Sequence, residues 1–256
     1  MPNIVAIIQA RMSSKRLPGK VLLDICGQPM LVRVVERTRR ATLVNRVVVA
    51  TTNDPSDDAI QALCDHRSYP CFRGSMLDVL DRYYQAACIH HAEVIVRITA
   101  DCPLIDPQVV DHTIGKFLES GVDFAANRLP PPWKRTFPIG LDTEVCTFAA
   151  LERAWREAHL PRHREHVMPY LYEVEGRFRN LVIHHEPDYG HLRWTVDTAE
   201  DLEFVRRVYA HFNGRDDFSW LEVLALIEQH PELSQINAHV KHKTYQDTEL
   251  NSDMGK

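Results

Sequence analysis

Arg11, Lys15, Arg16 and Lys20 fall close together near the amino end, interleaved with Ser13, Ser14 and Gly19. Guanidinium and ammonium groups beside hydroxyls donate to phosphate oxygens, and a glycine lets the backbone approach a ligand. This stretch therefore suits the cradling of a polyphosphate; the other reading is a solvated basic loop. The opposing groups are acidic: Asp101 follows the apolar run 94–98, and Asp197 follows Trp194-Thr195-Val196. Carboxylates facing cations across phosphates are the hard oxygen ligands that Mg²⁺ takes. Asp106, between Ile105 and Pro107, reads instead as a helix cap, whereas Asp197 reads as a ligand rather than a cap.

Weaker candidates follow. Phe72-Arg73-Gly74-Ser75 places a glycine beside a helix start, where exposed backbone N–H and C=O groups can read a base edge; Asp81 and Arg82 beyond it suit an exposed helix face as well as a site. Asp142 and Glu144 lie on one side of a strand, to orient a substrate or to face solvent. The run 159–166 is rich in histidine, but its proline, its arginines and the absence of a nearby cysteine make it a poor zinc site. Arg164 and His166 suit contact with an anion better. Trp194, Tyr83 and Tyr84 read as core.

The elements that must position these residues are legible in outline. Residues 4–8 form a β-branched run of buried-strand character, so the cationic stretch leaves the carboxyl end of a central sheet, where open α/β sheets bind ligands. A helix is expected over 30–41, with Leu31, Val34 and Val35 on one face and Arg33, Arg37 and Arg40 on another. Strands follow at 46–52, 71–74 and 93–99, with helices between them, the last capped by Ser75. This β-α alternation predicts an α/β fold with a Rossmann-like, mostly parallel sheet and helices on both faces. Regularity weakens after residue 117. Strands are expected at 122–127, 141–148, 179–184 and 192–198, and helices at 149–157, 165–174, 199–210 and 220–229. The proline-rich stretch 129–135 cannot join a central strand.

Of the 256 residues, 45% are hydrophobic and 25% charged, enough to fill a core in one domain over 1–239. Within it, 128–190 reads as an acceptor or dimerisation region, and 240–256 as a polar, flexible tail. The net charge of −5 supplies no whole-protein attraction to nucleic acid. Six scattered cysteines without a CxxC pair, no secretory leader and no long apolar run point to a cytoplasmic protein with reduced thiols and no membrane span.

Six blocks in order carry a resemblance: QARMSSKRLPGK at 9–20, FRGSMLDVLDRY at 72–83, RITADCPLIDP at 97–107, GLDTEV at 140–145, REHVMPYLY at 164–172 and RWTVDTAEDL at 193–202. Together they resemble the CMP-sugar synthetase type of nucleotidyltransferase, in particular its SpsF-like spore coat polysaccharide branch. The resemblance implies a nucleotidyltransferase fold, a Mg²⁺-dependent reaction with CTP, release of pyrophosphate, and a homodimer. It implies that Arg11, Ser13, Arg16 and Lys20 hold the triphosphate, with Arg11 and Lys20 catalytic. Arg73 and Ser75 would recognise cytosine, Asp101 and Asp197 would bind Mg²⁺, and Asp142, Glu144, Arg164 and His166 would meet the acceptor. Thr99-Ala100-Asp101-Cys102 departs from the ketodeoxyoctulosonate-synthetase branch and puts the acceptor in doubt. An acidic sugar of the ulosonic type stands first, for surface polysaccharide; a phosphate or phosphonate acceptor is the alternative. From a different class, a glycosyltransferase of similar architecture would show a second aspartate after Asp101, where Cys102-Pro103 stands, and an idle nucleotide-binding module would have lost Lys20, Asp101 or Asp197.

Overall fold

In β1 (Ile4–Gln9), Ile4, Ala6 and Ile8 enter one hydrophobic core and Val5 and Ile7 another, because successive strand side chains point to opposite faces. This computed structural model describes residues 2–130 and 132–241. A short hairpin, β2 (Asp24–Ile25) with β3 (Gln28–Pro29), lies apart from the main sheet. The remaining strands are β4 (Arg46–Thr52), β5 (Cys71–Gly74), β6 (Val94–Thr99), β7 (Phe124–Ala126), β8 (Glu144–Thr147) and β9 (Asn180–Val182). They join β1 in the order β5-β4-β1-β6-β8-β7-β9, and β8 runs against both neighbours. The mostly parallel sheet expected from the β-α alternation is therefore present.

The first core is covered by α1 (Met30–Arg39), α2 (Asp58–Arg67), α4 (Pro107–Ser120), α8 (Ala199–His211), α9 (Trp220–Gln229) and α10 (Glu232–Gln235). The second is covered by α3 (Val79–Ile89), α5 (Phe148–Glu157) and α7 (Pro169–Tyr172), with α6 (Pro161–His166) leading into α7. Strands β1, β4, β5 and β6 are parallel, so Gln9, Thr52, Gly74 and Thr99 all end at one edge. Successive strands add on one side from β1 to β5, and β6 lies on the other. That reversal opens a crevice at the carboxyl ends.

Several expectations are corrected. The face of α1 carrying Arg33 and Arg37, apart from Leu31, Val34 and Val35 as expected, is buried as well, with Arg33 over the Tyr209 ring and Arg37 over Phe218. They donate to Ile25, Cys26 and Gly214 carbonyls and to Ile105, Asp216 and Phe218 carbonyls, tying α1 to the 214–218 turn. Ser75 does not cap α3; Asp78 does, accepting from Asp81 N, and Ser75 Oγ accepts from Leu77 N and Asp78 N in the preceding turn. The helix expected over 165–174 is broken into α6 and α7 by Val167, whose φ of 71° cannot continue a right-handed helix. Residues 192–198 form no strand. A single bridge joins Ile139 to Arg193, and the segment is held by Val196 N donating to Asp101 O at 2.8 Å.

Gly140 lets the turn after Ile139 pack closely against Trp194 and Thr195 of this segment. Its φ is +110°, and a Cβ there would lie 2.7 Å from Thr195 N. The 128–190 region contributes β8, β9 and α5 to α7 to the same sheet and its second core. The tail expected over 240–256 lies, from residue 242 onward, outside the described residues. Among the described residues, no helix is long and apolar enough to cross a membrane.

Candidate active site

Beyond β1 the chain turns at Met12, whose N–H donates to Asp57 Oδ1 at 2.7 Å. Asp57 is buried, and its other oxygen accepts from Thr51 Oγ1 at 3.0 Å and from Thr52 N at 3.1 Å, as well as from the Thr52 hydroxyl. Ser14 N and Gly19 N both donate to Met12 O, at 2.8 and 2.9 Å, which closes the cationic stretch into a compact loop. A 3₁₀ turn at Lys20–Leu22 then sends Lys20 inward.

Lys20 Nζ donates to Asp101 Oδ2 at 3.0 Å, to Asp197 Oδ1 at 3.0 Å and to Val196 O at 2.7 Å. Burial opposes its charge, but the two aspartates outweigh burial and hold its pKa above the ordinary lysine value. Asp101 and Asp197 are both held below the usual carboxylate range: burial and their mutual repulsion act against ionisation, and Lys20 and its hydrogen bonds prevail. Arg16 reaches Asp197 Oδ2 at 2.9 Å, and Arg193 reaches the same oxygen at 2.9 Å while bonding Asp201 with Nε and Nη2. Asp201, with Thr198, supplies the capping box of α8, so Asp197 is released from capping and points its oxygens at cations.

Arg16, Lys20, Asp101 and Asp197 line a cleft of about 420 Å³ at the strand ends. Arg11, Arg16, Lys20, Asp101, Asp197 and His166 are brought together there. Burial, with Arg97 and Arg128 nearby, pushes the His166 pKa down to about 4, so its imidazole is neutral at pH 7. Behind it, Arg97 pairs with Glu144 and bonds Gln9 Oε1 at 3.2 Å, while Asp142 takes Arg135 and, at 3.4 Å, Arg128. Glu144 is buried and Asp142 partly so, and neither borders the cleft; Glu144 fixes Arg97, and Asp142 holds Arg135 and Arg128.

The other expected site residues are not gathered there. Ser13 is exposed, and Ser14 supplies the hydroxyl that borders the cleft. Arg73 is spent on the β4 turn, donating to Thr52 O at 2.7 Å and Asp54 O at 2.9 Å and pairing with Asp58 at 2.7 Å. Ser75 serves its own turn. Arg164 joins Asp78 and donates to Trp155 O at 2.7 Å, bracing α6 against α3 and α5. Asp106 caps α4 as expected and also accepts from Trp220 N at 2.7 Å.

Sequence reasoning missed Asp57, Arg97, Arg128 and Arg193, while Arg82, weighed there between an exposed helix face and a site, is buried and borders the cleft. Arg97 carried a signal, as a charge inside the otherwise apolar run 94–98. Arg193 and Asp197 are spaced i, i+4, although not on a helix. The buried Cys102 thiol is pushed well above its ordinary pKa by burial and Asp101, so it is no nucleophile.

A family model described as Cytidylyltransferase matches residues 5–240. The spore coat polysaccharide biosynthesis protein SpsF of Bacillus subtilis is 32% identical over 248 residues, 91% of this chain and 97% of that protein. The 3-deoxy-manno-octulosonate cytidylyltransferase of Geobacter sulfurreducens is 41% identical over 121 residues, only 46% of each chain. Among solved structures, a cytidylyltransferase from Leptospira borgpetersenii superposes with a TM-score of 0.86 at 32% identity, over 96% of this chain and 100% of that one. With a family model spanning nearly the whole chain and the cation loop meeting its two aspartates at the sheet's carboxyl edge, the chain belongs to the cytidylyltransferase family of nucleotidyltransferases.

Proposed function

We infer that the chain transfers CMP from CTP to an acidic sugar of the ulosonic type, in the cytoplasm and for surface polysaccharide, releasing pyrophosphate. One observation carries this reading. The cation loop, with Arg11, Arg16 and Lys20, meets Asp101 and Asp197 in one cleft at the carboxyl ends of the strands, the arrangement a metal-bound triphosphate needs. The acidic acceptor is supported by the partial likeness to a 3-deoxy-manno-octulosonate cytidylyltransferase.

In this reading the acceptor hydroxyl attacks the α-phosphorus in line. Its oxygen–phosphorus bond forms as the bond to the β-phosphate oxygen breaks, the hydroxyl proton passes to solvent, and pyrophosphate leaves with the electron pair. The cation loop orients and neutralises the triphosphate, and positioning and electrostatics supply the acceleration. The aspartate pair fits a divalent cation, since the Lys20 ammonium already sits between Asp101 and Asp197 as a positive stand-in. Among the described residues no cluster of three or more metal-ligating side chains exists, so phosphates and water would complete the shell around Mg²⁺. When bound, Mg²⁺ would lower the charge on the phosphate oxygens. A homodimer belongs to the same reading, and light scattering tests it.

The function is tested by pyrophosphate release from each of the four nucleoside triphosphates with Mg²⁺, against acidic sugars and against phosphate or phosphonate acceptors. CTP with an acidic sugar is expected to be the productive pair. Turnover only with a phosphate or phosphonate acceptor replaces the acceptor class. Preference for another nucleotide overturns the cytosine assignment.

A further inference from the structure

The cleft is electrostatically uneven. On one side Arg16 and Lys20 are neutralised by Asp101 and Asp197. On the other, Arg82 in the first turn of α3 lines the cleft without an ion pair among the described residues. Arg82 is 2% exposed. Its Nε has no hydrogen-bond partner, and Nη1 makes one long contact to Ala50 O at 3.5 Å.

The acids nearest to it are committed elsewhere. Asp57 is taken by Met12 N, Thr51 and Thr52, and Asp78 by Arg164 and Asp81 N. Arg11, which also lines the cleft, adds a like charge beside Arg82; burial first, and Arg11 with it, pushes the Arg82 pKa below the ordinary arginine value. A guanidinium carries five N–H donors, and holding even one of them buried and unmet, as at Nε, is costly. The fold nonetheless makes room for it. A Cβ at Gly74 would lie 2.7 Å from Arg82 Cγ and 3.0 Å from Phe72 Cε1, so the glycine ending β5 leaves space for the arginine stem.

We propose that Arg82 is a substrate-binding residue, which with Arg11 forms an oxyanion site taking a phosphate group of CTP or of the pyrophosphate it releases. The shared chemistry is a tetrahedral phosphate whose oxygens accept from the guanidinium fork. This rests on the cleft being the nucleotide site. It also explains why the strand end before α3 is a glycine and why no carboxylate closes on Arg82.

The test is calorimetric titration of inorganic pyrophosphate, CMP and CTP, at fixed Mg²⁺, into the wild type and Arg82→Met, with thermal unfolding of each without ligand. Pyrophosphate and CTP are expected to bind about 10- to 100-fold more weakly to the variant, the scale of losing charge-assisted hydrogen bonds. Loss of CMP affinity by the same factor would identify the α-phosphate; unchanged CMP affinity would identify the β- and γ-phosphates. The ligand-free variant should melt no lower than the wild type, because an unmet buried charge has gone. A purely structural arginine predicts the opposite. Affinities within about threefold of the wild type for all three ligands overturn the proposal, since that is below the loss of one such bond. Should Arg82→Met not fold, Gly74→Ala displaces the stem while keeping the charge. Weakened pyrophosphate binding is expected there, and unchanged binding overturns the proposal. A wild type that binds neither pyrophosphate nor CTP removes the nucleotide reading of the cleft itself, and Arg82's role with it.

Discussion

Lys20 Nζ and Asp197 Oδ1, 177 positions apart in the chain, lie 3.0 Å apart. With Asp101 Oδ2 and Val196 O the same ammonium has three acceptors for its three N–H donors, so it is saturated within the protein. To reach a phosphate it must give up one of them. A divalent cation taken up by the two aspartates would release it, which links metal binding to phosphate binding in a single exchange.

Lys20→Ala should lower CMP transfer by roughly 10²-fold or more, the scale of losing a preorganised charge contact. Single-turnover measurements of CMP transfer at saturating CTP read this directly. Near-normal turnover would remove the role.

Asp101→Asn and Asp197→Asn should each raise the Mg²⁺ concentration for half-maximal rate by about tenfold or more, since each removes one hard anionic ligand. Chelation with EDTA should abolish turnover and added Mg²⁺ restore it. A rate indifferent to EDTA would rule out the metal assignment.

Asp57 acts at a distance from chemistry, through Met12 N. Asp57→Ala leaves several buried donors unmet and should destabilise the fold by about 2–4 kcal/mol. It should also raise KM for CTP more than it lowers kcat, because the cation loop loses its anchor while Lys20 persists. Urea unfolding and steady-state kinetics separate the two effects.

His166 sets a pH dependence of stability. Its pKa of about 4 in the folded chain lies below the unfolded value near 6.5, so between those pH values the unfolded chain binds more protons. The contribution of neutral His166 is therefore complete above about pH 6.5 and lost as pH falls toward about 4. His166→Gln should flatten the stability profile in that window. An identical slope in the variant would exclude His166 as its source.

How far the chain reads from sequence follows the range of the interactions concerned. The strands at 46–52, 71–74 and the helix at 220–229 match β4, β5 and α9 residue for residue, because periodicity and capping are local. Arg33 and Arg37 were expected only on a face apart from Leu31, Val34 and Val35. Their burial depends on carbonyls near residues 25, 105 and 214–218, which no helical period reveals. Arg73 and Arg164 follow the same rule: each braces a turn or a helix through partners far from it in sequence.

What the sequence determined by itself was the α/β fold, the cation loop at 9–20 and the acidic positions Asp101 and Asp197, since strand ends and charge density are written within short windows. Only the tertiary structure decided that Lys20 sits between those acids, that Thr198 and Asp201 free Asp197 from capping, and that Arg82 is left buried without a counter-ion. The physical reason is that compensation of a buried charge depends on every group within a few ångströms, and in this fold those groups come from β1, β4, α3, β6 and the segment before α8.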